Sequence, residues 1–272
     1  MAQCAQKLGD PHHAQQAGSA DGPRIRVAKP TKIRHDCRCH FKLHAAMEQH
    51  SRSRWVIYKQ GALLALIGLM VVIFLAQELS GSLWYYPFMA VPAKVVAGWQ
   101  HVRAGTGGAA DWWALGTLFS CAFLHADISH ILYNMLYLWI FAALAADLLG
   151  QRWMLVIFLV TAGCGSLCHT LLNVNSMAPM LGASGAVMGF EGAYLGLATR
   201  WHLPEPQVWP MSRSIPPGQL ALLALFGVAM DYTNLMSAAG SRVAFGAHIG
   251  GFTAGLFLTA LLAPKPAAAR PR

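Results

Sequence analysis

The sequence predicts an all-α, polytopic membrane protein of six transmembrane helices with a long, partly interfacial first loop. Four observations carry this. Of 272 residues, 56% are hydrophobic and only 11% are charged, against about 25% charged in an average globular chain. Mean hydropathy is +0.42. Six apolar stretches of helical length are separated by polar or Pro/Gly-rich connections. Finally, the 20 Lys and Arg residues are unevenly spread: ten precede the first apolar stretch. The net charge of +9 is therefore read as topology signal and contact with anionic lipid, and no nucleic-acid partner is implied.

In chain order, residues 1–54 are polar and basic, without apolar periodicity, and are expected to be a disordered cytoplasmic tail. No secretory signal peptide is expected: the polar stretch is far too long for an n-region, and no small-residue cleavage site follows the first apolar run. The patch from His35 to His44 contains Cys37 and Cys39, but CxC spacing without a second knuckle fits no standard zinc module. No metal is expected there.

The membrane domain is expected over 55–264. The first span runs from about Trp55 to Leu79, with Trp55 and Tyr58 at an interface. Residues 80–115 form the long loop. Trp84, Trp99, Trp112 and Trp113 argue for a segment folded into the membrane interface rather than for disorder. The second span covers about 124–149 and holds His125, His130 and Asn134; the last two share a helix face. The third covers 153–172, and a short uncharged loop, 173–181, follows. The fourth covers 184–199, a Pro-rich connector 200–218, and the fifth 219–236, with Asp231 near its outer end. The sixth covers 245–263 and holds His248. A short cytoplasmic tail, 265–272, ends the chain. Of the remaining cysteines, Cys164 and Cys168 are four apart beside His169 and are read as buried core thiols; no disulfide framework is expected.

Six spans put both termini on one side. With that side cytoplasmic, 17 of the 20 basic residues lie inside, leaving Lys94, Arg103 and Arg242 outside. Ser184, His130 and His248 then lie at similar depth below the outer surface, although packing alone does not require this.

Ser184 stands in Gly182-Ala183-Ser184-Gly185-Ala186-Val187-Met188-Gly189. Gly182 allows the chain to turn, and a serine at a helix N-terminus meets free N–H groups and the positive end of the dipole. A serine becomes a nucleophile when a base takes its proton, and His248 is the candidate base. His130 and Asn134, with the Ser184 N–H, are candidate donors to an oxyanion. Gly251 and Gly255 in the sixth span allow approach to the Gly185/Gly189 face of the fourth. No acidic residue is placed to complete a triad, so the set reads as a dyad. The plainer alternatives are that Ser184 packs among small residues and that His130 and Asn134 join helices by hydrogen bonds.

Three motifs occur in order: His130-x-x-x-Asn134, Gly182-x-Ser184-Gly185-x-x-x-Gly189 and Ala247-His248-x-x-Gly251-x-x-x-Gly255. Together, over about 55–264, they closely resemble the rhomboid family of intramembrane serine proteases. The resemblance implies a rhomboid-like six-helix bundle, Ser184 as nucleophile and His248 as general base. It implies an oxyanion hole of His130, Asn134 and the Ser184 backbone, with Gly182, Gly185, Gly189, Gly251 and Gly255 as structural glycines. It further implies cleavage of transmembrane substrates near the outer face, no cofactor, and a bacterial inner membrane with both termini cytoplasmic. His125 matches a histidine often found five residues before the oxyanion histidine. Many members carry Trp-Arg in the first long loop; alignment back from His130 puts Gly116-Thr117 there. The alternative within the family is an inactive relative that binds membrane proteins. A small transporter is the alternative outside it, and the chain lacks the internal repeat that class shows.

Overall fold

The computed structural model describes residues 60–81, 83–204, 216–237, 243–266 and 269–271. The expected tail 1–54 with its His/Cys patch, the start of the first span, and most of the 200–218 connector lie outside the described residues, as does the side chain of Asp231.

Eight α-helices are described. They are α1 (Gln60–Leu79), α2 (Pro92–Arg103), α3 (Ala109–Ser120), α4 (Ile128–Leu149), α5 (Gln151–Leu172), α6 (Ser184–Arg200), α7 (Pro217–Ser237) and α8 (Phe245–Leu262). Four of them, α1, α4, α5 and α8, are long and apolar enough to cross a membrane. At 17 residues α6 is shorter, and the apolar part of α7 is Pro217–Met230.

The long loop is a folded segment, and it is largely helical. It carries a 3-10 turn at Tyr86–Phe88 and two helices, α2 and α3, and a second 3-10 turn at Cys121–Phe123 follows. The local reasons are visible in the residues. Pro92 opens α2, where its missing N–H costs nothing. Asp111, in the first turn of α3, reaches back to accept the Gly108 N–H at 2.9 Å and His101 Nδ1 at 2.9 Å, tying α3 to α2. These contacts hold the Asp111 carboxyl below the usual carboxylate range, the Gly108 N–H contributing most.

The second span also starts later than expected, at Ile128 rather than near Leu124. Asp127 is the reason: its carboxylate accepts the His130 N–H at 2.8 Å and caps the helix. The Ser129 hydroxyl, then that N–H, keep the Asp127 carboxyl low. His125 consequently sits ahead of α4, not on it.

The bundle is built around α6, of whose 17 residues 13 are buried. Its seam with α8 is a backbone contact. A methyl group on Gly251 would collide with the Gly185 carbonyl, on Gly255 with the Gly189 carbonyl, and on Gly192 with the Phe252 carbonyl. Across the seam the Thr259 hydroxyl donates to the Ala193 carbonyl at 2.8 Å. At its far end Arg200 donates to the Ala263 carbonyl at 3.0 Å. There Trp201–His202 (β1) pairs antiparallel with Arg270–Pro271 (β2), so the last residues fold back onto the end of α6. Cys168 packs half-buried against Gly250, while Cys164 is exposed on α5, so the pair is not the buried thiol core expected. Gly165 of α5 and Gly196 of α6 likewise lie against α8 carbonyls, those of Ala247 and Leu256, which is how small residues let membrane helices approach.

Candidate active site

Ser184 is the first residue of α6, and the turn before it is fixed from three sides. The Gly182 N–H donates to the Cys121 carbonyl at 2.9 Å. Met180 and Ala90 exchange both backbone hydrogen bonds, at 2.8 and 3.1 Å, and the Ala93 N–H donates to the Ser176 carbonyl. The segment entering α2 thus braces the loop entering α6. Gly182 has φ +124°, a conformation that side-chain-bearing residues rarely adopt.

His248 lies in the first turn of α8, and its Nε2 is 2.8 Å from Ser184 Oγ. The glycine seam sets that distance, because it brings the starts of α6 and α8 together. The Phe245 ring lies edge-on to the imidazole with centroids 6.2 Å apart.

His130 reaches the same turn from α4. A methyl group on Gly182 would lie 2.7 Å from His130 Nε2, so the imidazole occupies the space that Gly182 leaves. The Ala126 N–H donates to His130 Nδ1 at 3.3 Å. With Nδ1 accepting, the neutral ring carries its proton on Nε2, the nitrogen beside Gly182. Asn134 is buried one turn further along α4, and its Nδ2 donates to the His130 carbonyl at 2.9 Å. One amide hydrogen remains for another acceptor.

The structure therefore brings Ser184, His248, Gly182 and His130 together. It places Gly185 and Gly189 against Gly251 and Gly255 in the seam behind them, and Asn134 behind His130. A cavity of about 20 Å³, room for roughly one water, opens beside Ser184 between Cys121, Ser166, Met180, Leu181 and Gly185. Among the described residues no group of His, Cys, Asp or Glu is arranged to hold a metal. Sequence reasoning missed Asp127 as the cap that aims His130, although an Asp just before an apolar run is a readable helix start.

The rhomboid-domain family model matches residues 109–265, more than half of the chain. The chain belongs to the rhomboid family. It is similar to YdcA of Bacillus subtilis, 28% identical over 204 residues that cover 73% of this chain and 92% of YdcA. It is also similar to RHOMBOID-like protein 5 of Arabidopsis thaliana, 30% identical over 150 residues, 55% of this chain and 44% of that protein. Rhomboid protease GluP of Bacillus subtilis is 30% identical over 162 residues, 58% of this chain and 28% of GluP. The chain thus spans nearly all of one of these relatives and less than half of the other two. Family membership and the apolar helices together make it a multi-pass integral membrane protein.

Proposed function

We propose that this rhomboid-family chain is an intramembrane serine endopeptidase working with a Ser184–His248 dyad. The observation that carries this is the 2.8 Å contact between His248 Nε2 and Ser184 Oγ, on two helices joined by a glycine seam. Ser184 Oγ attacks the substrate carbonyl while His248 takes its proton. The oxyanion so formed is stabilised by the Ser184 N–H at the start of α6, the His130 Nε2–H and the free Asn134 amide hydrogen. His248 then returns the proton to the leaving amine. A water, deprotonated by the same histidine, releases the acyl group and restores the serine. The substrates are transmembrane proteins cut near their outer ends.

In this reading six helices span the membrane: α1, α4, α5, α6, α7 and α8. A 17-residue helix is about 26 Å long, which suffices for α6 because protein rather than lipid surrounds most of it. Both termini lie in the cytoplasm of a bacterial inner membrane, as the 17-to-3 division of basic residues favours.

The test is labelling by a fluorophosphonate probe and cleavage of a single-span reporter by the purified chain. Ser184→Ala and His248→Ala are each expected to abolish both. Labelling that survives Ser184→Ala assigns the nucleophile to another serine. A wild-type chain that folds but neither labels nor cleaves would instead favour an inactive, client-binding relative.

A further inference from the structure

The segment 124–127, between the Cys121–Phe123 turn and α4, must carry backbone groups that no helix satisfies. One side chain from another helix takes two of them. The His125 N–H donates to Gln77 Oε1 at 3.2 Å, and Gln77 Nε2 donates to the His125 carbonyl at 3.2 Å. The pairing fixes which way the amide faces, since the backbone donor needs the oxygen and the backbone acceptor the nitrogen. Gln77 is 6% exposed and His125 1%, so water does not compete for these bonds.

The clamp sits one residue from the group that orients His130. Ala126 follows His125 directly, and its N–H is the donor to His130 Nδ1. The His125 ring also packs edge-on against the His130 ring, centroids 5.3 Å apart and planes at 71°. Both His125 ring nitrogens are buried without a hydrogen-bond partner among the described residues; the ring's contact with the site is its packing against His130. We infer that Gln77 is a positioning residue for His130: from α1 it holds the His125–Ala126 backbone so that the Ala126 N–H keeps the His130 proton on Nε2. This rests on the reading of His130 as an oxyanion donor. Without the clamp the Ala126 N–H moves off, the imidazole can carry its proton on Nδ1 and can turn, and Nε2 presents a lone pair where the oxyanion needs a hydrogen.

A buried glutamine that merely satisfies a loop would affect stability and nothing else. The two roles separate in a double-mutant cycle on the full-length chain in detergent, using Gln77→Leu, His130→Ala and their combination, with kcat, KM and Tm measured for each. The expected result is a loss of about tenfold in kcat for Gln77→Leu with KM little changed, the low end of the scale for removing a partner that orients a metal-ligating histidine. In the His130→Ala background Gln77→Leu should cost nothing further in kcat, because the residue it acts through is gone. If Gln77→Leu does not fold, Gln77→Met, of equal length, takes its place. An unchanged kcat in the Gln77 variant, or the same fractional loss with and without His130, overturns the inference. A wild-type kcat in His130→Ala overturns the oxyanion reading itself, and the inference with it.

Discussion

α6 and α7 both pack beside α8, and they are held in opposite ways. α6 meets α8 backbone to backbone, through Gly185, Gly189 and Gly192 against Gly251, Phe252 and Gly255. α7 meets its neighbours through side chains: Ala224 is buried with Met188 and Phe252, while Leu222, Leu223, Phe226 and Tyr232 are exposed. A nucleophile and a base on separate helices require a fixed separation, and a backbone contact supplies it because no rotamer can absorb a shift. Side-chain contacts such as those of α7 repack more readily. In the proposed reading the dyad sits on this backbone seam, and α7 packs beside it.

The most severe break of the seam is Gly251→Val. Its Cβ would collide with the Gly185 carbonyl, so α6 and α8 must separate and the Ser184–His248 contact must lengthen. Overpacking a well-filled core costs about 1–3 kcal/mol, and here the obstacle is backbone, which cannot turn aside. A fall in Tm is expected together with loss of cleavage by at least about 10²-fold, the scale of a misplaced reacting group. Wild-type cleavage by this variant would mean that the seam does not set the dyad distance.

Much of this seam was legible in the sequence, because each glycine pair is spaced four residues apart and only one face of a helix can hold both. The family was legible for the same reason: three short motifs in order, none persuasive alone. What was not legible depends on contacts between distant segments. The helices α2 and α3 lie in a stretch of mixed polarity with no sustained apolar period, so periodicity is silent; Pro92 at the start of α2 and Asp111 in the first turn of α3 were the readable traces. The pairing of Trp201 with Pro271 and His202 with Arg270, and the clamp from Gln77 to His125, join residues far apart in the chain, and no local pattern announces either. The late start of α4 was readable at Asp127, but hydropathy extended the span back through His125.

Gly182→Ala breaks the site without parting the seam. The alanine would have to adopt φ +124°, a strain of order 1–3 kcal/mol, and its methyl would push the His130 imidazole from its place. Turnover should fall by about 10²-fold, as when one oxyanion donor is lost, with a Tm decrease smaller than that of Gly251→Val. Unchanged turnover with a lowered Tm would show that His130 does not need its place over this turn.

The prediction with the smallest expected effect on cleavage sharpens the contrast between the two helices directly, by removing the same ring from each. Phe190 on α6 is 1% exposed and Phe226 on α7 is 64% exposed. Phe190→Ala leaves a cavity in a packed interior, where such a change costs about 3–5 kcal/mol. In the proposed six-span arrangement Phe226→Ala removes a ring that faces the acyl chains. Lipid or detergent refills the space, so the change should stay within about 0.5 kcal/mol and leave cleavage untouched. Melting temperatures of the two variants in one detergent make the comparison, since the chemistry of the deletion is identical and only the surroundings differ. A large loss for Phe226→Ala would mean that protein, not lipid, covers that face of α7, and α7 would then be held as firmly as α6. A small loss for Phe190→Ala would mean that the α6 interior can collapse around a missing ring. In that case the rigidity assigned to the seam resides in its glycine backbone contacts alone, not in the side chains packed behind them.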